Sequence, residues 1–142
     1  MLRSFLIYLS QAGWAQRMVT GWSFAWNVAS RFVAGETNEE AIAVVEELNA
    51  KGINATLDQL GEHTSRAEEA VQSTEEILGI LDAIEESGVR AGGSIKLTQI
   101  GMGLDSTICR QNLRRILERA KEHDNFVRID IEDTPYTDIT IE

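Results

Sequence analysis

The 142-residue sequence has little of several residue types that mark particular classes of protein. Its single cysteine, Cys109, cannot form an internal disulfide, which is typical of a reducing compartment. It has one proline and no low-complexity segment, so it is unlike a fibrous or disordered chain. The apolar run at residues 5–9 is too short to span a bilayer or to act as a secretory core, and we expect a cytoplasmic location.

Basic residues are also scarce, and their distribution is uneven. Thirteen lysines and arginines stand against 23 acidic residues, which gives a formal net charge of −10. An acidic surface argues against nucleic acid as a partner. The length and the apolar content of 43% fit one ordinary globular domain with its own core.

Residues 1–35 form the first predicted region, a short helical arm. The arm holds all three tryptophans of the chain, Trp14, Trp22 and Trp26, and has arginines but no acidic residue. A basic and aromatic arm could bind a membrane surface or a partner. Scattered arginines attract lipid only weakly, so we favour packing on a larger body. That body is the second predicted region, residues 36–142.

Three stretches of the second region alternate apolar and polar residues, as strands with one apolar face do. The polar positions of these stretches are Asn54, Thr56 and Asp58, then Ser94, Lys96 and Thr98, then Arg128, Asp130 and Glu132. Helical patterns separate the stretches, so the order predicts right-handed crossovers and a parallel sheet. The predicted fold class is therefore α/β, with the apolar faces under the helices and the polar faces meeting one another.

Charged side chains would crowd the inner side of such a sheet. They are Asp58, Lys96, Arg128, Asp130 and Glu132, three acidic and two basic groups. Near neutrality is what burial of charge requires when the groups pair with each other or with a ligand. The alternative is an antiparallel or open sheet with one solvated face, which needs no site at all.

Local signals predict where the elements begin. Segments 37–40 and 65–68 have the form of capping boxes that open helices. Gly92 and Gly93 are expected to precede the second strand. The start of a further helix is predicted near Pro135.

The third predicted helix carries one apolar stripe, which includes the cysteine. The stripe consists of Cys109, Leu113, Ile116, Leu117 and Ala120. This position favours a buried, inert thiol over a nucleophile. His63 and His123 are expected to be isolated and exposed, and no spacing of ligands predicts a metal site.

In folds built from strand and helix units, the working groups lie at the carboxyl ends of the strands. Lys96 and Asp130 lie there. Lys96 could pair with an anionic substrate or form a Schiff base, and Asp130 could orient a cation or accept a proton. The two residues could equally form a structural Lys96–Asp130 pair across neighbouring strands.

Several segments resemble the bacterial monofunctional proline dehydrogenases. They are RFVAGET at 31–37, TLDQLGE at 56–62, SIKLTQ at 94–99, NLRRIL at 112–117 and FVRIDIEDTPYTD at 126–138. The segments occur in the family's order and at its spacing, and together they are specific. The resemblance implies the amino-terminal portion of a distorted (β/α)8 TIM-type barrel, with three parallel strands and their helices after the helical arm.

The resemblance also implies chemistry. Members of the family use FAD to oxidise L-proline to Δ1-pyrroline-5-carboxylate and pass the electrons to a membrane quinone, which places the enzyme at the inner membrane surface. It implies that Lys96 binds the substrate carboxylate, that Asp130 is a catalytic-site residue and that Ile131 contacts the flavin. The polar strand face would then be the floor of the site.

The chain departs from the family in length, because a full (β/α)8 domain takes about 250 residues. We therefore expect an incomplete copy of a proline dehydrogenase, for which inactivity in isolation is one outcome. Two alternatives remain open. One is an interaction fragment that needs a complementary carboxyl-terminal half, and the other is a Schiff-base or proton-transfer barrel enzyme built on Lys96 and Asp130.

Overall fold

A computed structural model of the protein describes residues 33–61, 63–132 and 134–141. Residues 37–142 form one compact unit. Its described elements are α1 (Asn38–Ala50), β1 (Ala55–Asp58), α2 (Ala67–Ser87), β2 (Ala91–Lys96), α3 (Ser106–Glu122), β3 (Val127–Asp130) and α4 (Thr134–Ile141). Most of the predicted helical arm, residues 1–35, and all of its tryptophans lie outside this description, so the arm and the two-region division stay predictions.

The three strands form one parallel sheet with β2 in the centre, in the order β1-β2-β3. Asp58 is the register partner of Ser94, and Lys96 is the register partner of Asp130. Helical crossovers of this length are what allow consecutive strands to run parallel. The predicted three parallel strands with helices are confirmed, and the antiparallel alternative is wrong.

One face of the sheet is packed under α2 and α3. The core cluster between these layers consists of Ile77, Leu78, Leu81, Ile95, Leu97, Ile100, Cys109, Ile116 and Ala120. The thiol of Cys109 is buried here and lies 3.7 Å from the Leu97 carbonyl oxygen. Burial raises the pKa of the Cys109 thiol, which agrees with the predicted inert role.

The helix starts follow the predicted signals with one shift. Thr37 caps α1 by accepting a hydrogen bond from the Glu40 amide at 3.3 Å. At α2 the carboxylate of Glu69, rather than the predicted Glu68, accepts from the backbone amides of Ser65 at 2.8 Å and Arg66 at 3.2 Å. The helix begins one residue later than predicted. The carboxylate that accepts from the backbone amides at its start is therefore that of Glu69, one residue after Glu68. Helix α4 begins at the predicted position.

The second strand begins earlier than the sequence predicts, because Gly92 and Gly93 lie within β2. The ring of Phe126 lies directly against Gly92, where an added Cβ would come within 2.5 Å of the ring carbon Cε1. Only a bare backbone admits an aromatic ring at this distance. The glycine therefore belongs to the strand and makes room for the ring.

The apolar side of β3 is less covered than that of β2. Ile95 on β2 is fully buried, whereas Ile129 is 36% exposed and Ile131, just after β3, is 57% exposed. β3 pairs with β2 on one side only within the described sheet. β3 therefore has both an exposed apolar face and an edge that is unpaired within the described sheet.

No helix in the described part of the chain combines the length and the apolar character needed to cross a bilayer.

Candidate functional site

Each strand of the sheet ends in a charged residue on the polar face. Asp58 ends β1, Lys96 ends β2 and Asp130 ends β3. Parallel strands end at the same edge of a sheet, so the three side chains are neighbours. Their side chains are 36%, 24% and 32% exposed, respectively. Part-exposed charges of both signs can therefore meet a ligand at this edge.

Lys96 forms its ion pair with the β1 residue of this group. The Lys96 ammonium donates a hydrogen bond to Oδ2 of Asp58. The alternative of a structural Lys96–Asp130 pair is therefore wrong, although the two residues are register partners. Asp130 instead forms its ion pair with Arg128 of the same strand and accepts a hydrogen bond from Ser94.

Asp130 accepts hydrogen bonds on both carboxylate oxygens. Arg128 Nε donates to Oδ1 at 2.8 Å, and Ser94 Oγ donates to Oδ2 at 3.0 Å. The hydrogen bond from Arg128 is the main cause that lowers the pKa of the Asp130 carboxyl, with further help from Ser94 and the charge of Lys96 and against the effect of burial. Asp130 is thus an oriented, ionised carboxylate that can hold a cation or accept a proton.

A network of polar side chains joins the segments beyond β1, β2 and β3. Thr98 donates to the Glu132 carboxylate, and Thr64 Oγ1 donates to the Thr98 carbonyl oxygen at 3.0 Å. Gln99 Nε2 donates to the Gln59 carbonyl oxygen at 3.1 Å. Thr98 and Gln99 are each only 2% exposed. Hydrogen bonds of these buried side chains therefore hold the loops that border the charged edge in place.

Ile131 occupies a different position from Lys96 and Asp130. It directly follows the last residue of β3, and 57% of its surface is exposed. The two-residue period of a strand assigns it to the side of Ile129, opposite Asp130. The structure thus brings Lys96 and Asp130 to one face and leaves Ile131 at the rim of the sheet.

Sequence reasoning placed Ser94 and Arg128 on the polar face but gave them no task. Sequence spacing could have predicted the contact from Arg128, because residues two apart on a strand, such as Arg128 and Asp130, point to the same side. The contact from Ser94 depends on the register between β2 and β3. The alternation of apolar and polar residues within one strand does not predict how that strand is aligned with its neighbour.

Both histidines have neighbours, so their predicted isolation is wrong. His123 Nε2 lies 2.8 Å from Oδ1 of Asp82, with the imidazole 21% exposed. Arg119 Nη1 donates to the same carboxylate at 2.5 Å. The rings of His63 and Tyr136 are 5.7 Å apart between centroids. Within the described residues no group of three or more His, Cys, Asp or Glu side chains could hold a metal ion.

Comparison with known proteins gives consistent matches. The family model described as proline dehydrogenase matches residues 41–142. Proline dehydrogenase 1 of Bacillus subtilis (strain 168) is 38% identical over 144 residues, which covers 99% of this chain and 46% of that protein. The proline dehydrogenase of Deinococcus radiodurans is 37% identical over 120 residues, with coverages of 82% and 39%. The chain thus spans less than half the length of these relatives.

A solved structure is similar in fold. It is proline utilization A from Bdellovibrio bacteriovorus inactivated by N-propargylglycine, with a TM-score of 0.75 and 18% identity. The match covers 82% of this chain and 15% of that one. At this identity the likeness concerns the fold alone. It supports the predicted fold class, in which three parallel strands with helices are part of a larger (β/α) barrel.

Proposed function

Since the chain belongs to the proline dehydrogenase family, we propose that its polar strand face is part of a site for the FAD-dependent oxidation of L-proline to Δ1-pyrroline-5-carboxylate. One observation carries the proposal: Lys96 and Asp130 are register partners at the carboxyl edge, on one face, with opposite charge. A free amino acid has one carboxylate and one amino group. It therefore needs one cationic and one anionic partner, and these two side chains supply them.

The proposed role of Lys96 is to bind the substrate carboxylate. The group that it now holds, the carboxylate of Asp58, is chemically the same as the one that the substrate would present. Asp58 is 36% exposed, so its carboxylate can return to water when a ligand takes its place. The exchange replaces one ion pair of Lys96 by another, and the released Asp58 carboxylate is solvated by water.

The proposed role of Asp130 concerns the substrate amino group. Oxidation of proline to the imine removes a hydride equivalent from a ring carbon and a proton from the nitrogen. An ionised carboxylate can hold the N–H group by a charge-assisted hydrogen bond, and its lowered pKa favours passing the proton on to water. Arg128 and Ser94 keep the Asp130 carboxylate ionised and oriented for this task.

The proposal includes contact between Ile131 and the flavin, which rests on the family resemblance. The Ile131 side chain is exposed just beyond β3, on the side opposite Asp130. When bound, FAD supplies the acceptor for the hydride equivalent, and the protein supplies binding and orientation. The proposal includes a quinone as final electron acceptor and a cytoplasmic location beside the inner membrane. Both of these rest on the family resemblance.

The visible absorption spectrum of the purified chain tests the proposal. It would be recorded for the chain alone and after co-expression with the carboxyl-terminal half of a related barrel. We expect flavin bands that bleach without oxygen when proline is added, at least in the co-expressed form. Absence of bound flavin from both preparations would overturn the proposed function.

The exposed apolar side of β3 favours a second function, the binding of a complementary chain. Ile129 and Ile131 are exposed beside a strand edge that is unpaired in the described sheet. Unpaired strand edges accept a further strand through backbone hydrogen bonds. The partner would be a (β/α) segment that continues the sheet next to β3.

Co-purification tests this second function. A tagged chain should retain a co-expressed complementary half, and Ile129→Lys should abolish retention because it places a charge in the apolar contact. Leu60→Lys is the matched control, since Leu60 is 90% exposed in the loop after β1. Equal retention by both variants would argue against docking at β3.

A Schiff-base enzyme built on Lys96 has less support. The Lys96 ammonium is engaged by the Asp58 carboxylate, which suits a cationic partner of carboxylates better than a nucleophile. Borohydride trapping of Lys96 with a carbonyl compound would be required to restore that interpretation.

A further inference from the structure

We propose that Ser94 and Arg128 are positioning residues that fix the orientation of the Asp130 carboxylate. The proposal rests on the proposed function, because it assigns a task to Asp130 at the same site. Two independent elements supply the donors. Ser94 reaches Asp130 across the sheet from β2, and Arg128 reaches it along β3.

The Ser94 contact comes from the rigid part of the sheet. Ser94 is 3% exposed on the central strand, which pairs with β1 and β3 on its two sides. Its register partner is Arg128, so its hydroxyl reaches one step further along β3 to Oδ2 of Asp130 at 3.0 Å. A buried hydroxyl needs an acceptor nearby, and the Asp130 carboxylate satisfies it.

The Arg128 contact comes from the more exposed side. Its Nε donates to Oδ1 of Asp130 at 2.8 Å, and its Nη2 lies 3.4 Å from Oδ2. The Arg128 side chain is 55% exposed. The guanidinium therefore engages the carboxylate from the solvent side, while Ser94 engages it from the interior.

Together the two donors restrict rotation of the carboxylate. Each oxygen has its own short hydrogen bond, so a turn about the Cβ–Cγ bond would break the contact from Arg128 and the contact from Ser94 at once. A carboxylate oxygen can accept more than one hydrogen bond, so both oxygens keep capacity for a ligand. The other charged groups on this face are Lys96 of β2 and Asp58 of β1, which pair with each other, and Glu132 beyond β3, which accepts a hydrogen bond from Thr98.

The test is a residue-specific titration of the Asp130 carboxyl by carbon NMR in the full 142-residue chain, with the signal assigned by its loss in Asp130→Asn. Ser94→Ala and Arg128→Gln should each raise the pKa of Asp130 towards the ordinary value of an aspartate. Arg128→Lys should give a smaller rise, because it keeps the charge but not the fork of donors.

Two matched variants control for general effects. Ser87→Ala removes a serine hydroxyl at the end of α2, and Arg66→Gln removes an exposed guanidinium before α2. Neither should move the Asp130 titration. Far-UV circular dichroism checks folding, and if the buried Ser94→Ala variant fails to fold, the exposed Arg128→Gln and Arg128→Lys variants decide the question. An unchanged Asp130 titration in the folded variants would overturn the proposal.

A second readout separates this inference from the proposed function. In a flavin-loaded preparation that oxidises proline, Arg128→Gln should lower kcat by about 100-fold, the effect expected of a displacement of ~1 Å, with little change in flavin affinity. A shifted titration without any proline oxidation would keep the positioning role and remove the proposed function. Oxidation at the unchanged rate in Arg128→Gln would remove the positioning role and keep the function.

Discussion

Lys96 and Asp130 are register partners on neighbouring strands, yet each forms its ion pair with a different residue. Lys96 pairs with Asp58 of β1, and Asp130 pairs with Arg128 of its own strand. Opposite charges at paired positions usually attract each other. Here Lys96 and Asp130 are neighbours on one face but form no ion pair with each other. A zwitterionic ligand can bridge such a pair.

Removal of the Lys96 ammonium should weaken the binding of proline far more than the binding of flavin. The hydrogen bond of a charged group contributes about 1.5–3 kcal/mol, so Lys96→Ala should reduce proline affinity roughly ten- to 100-fold. Titrations of both ligands against the flavin-loaded protein measure the effect. Lys121→Ala on the exposed side of α3 is the control. Unchanged proline affinity in Lys96→Ala would remove the role assigned to this residue.

The carboxylate of Asp82 should make stability depend on pH at the α2–α3 contact. Its hydrogen bond with Arg119 is the main cause that lowers the pKa of Asp82 in the folded protein, and the bond with His123 adds to it. This contribution is therefore complete above the ordinary pKa of aspartate and is lost as the pH falls through the folded value.

Urea unfolding of Asp82→Asn would measure that contribution. Because Asp82 is 37% exposed, the free energy of unfolding at neutral pH should fall by no more than about 1 kcal/mol. The difference from the unaltered protein should vanish at strongly acid pH. Glu86→Gln, at an exposed carboxylate of α2, is the control for removal of a negative charge from this helix. A constant difference at every pH would contradict the assignment.

Two adjacent residues of α3 should differ sharply in their effect on stability. Ile116 is fully buried against the sheet, whereas Leu117, predicted on the same stripe, is 45% exposed. Ile116→Ala should therefore lower the free energy of unfolding by about 2–5 kcal/mol. Leu117→Ala should lower it by less than about 1 kcal/mol. Equal losses would mean that α3 packs on the sheet in a different rotation.

The loop after β1 should not tolerate a side chain at Gly61. An added Cβ would lie 2.6 Å from Nε2 of Gln99, which is only 2% exposed and cannot move aside freely. Gly61→Ala should lower the free energy of unfolding by about 1–3 kcal/mol. Combination with Gln99→Ala should recover part of that loss, as thermal unfolding of the two single variants and the double variant would show. Additive effects would contradict the clash.

The sequence predicted the strands and their faces because alternation is a local property. Asp58, Lys96 and Asp130 each had to lie on the polar face once the apolar positions were buried under the helices. Helix starts were predicted for the same reason, since Thr37 caps α1 from a position next to the residues that it serves. The family resemblance supplied the proposed roles of Lys96 and Asp130.

Partner choice was not predictable, because it depends on register between strands. Lys96 could have paired with Asp58 or with Asp130, and the structure shows that it pairs with Asp58 while Arg128 and Ser94 engage Asp130. Gly92 was misplaced for a similar reason. Glycine is usually a strand breaker, and the place of Gly92 inside β2 comes from its pairing with Thr56 of β1, a residue 36 positions away.

The central position of β2 also has a consequence for hydrogen exchange. Residues 92–95 of this strand are all buried, and Gly93 and Ser94 are paired with both neighbouring strands, so the amide protons of this segment should be among the slowest in the protein to exchange with deuterium. β1 and β3 are paired on one side only within the described sheet and should open more often. Each opening of an outer strand carries Asp58 or Asp130 away, whereas Lys96 and Ser94 stay in place. Lys96 and Ser94 should therefore keep their positions at the charged edge longer than Asp58 and Asp130 do. A ligand that binds both Lys96 and Asp130 would slow hydrogen exchange in the outer strand β3.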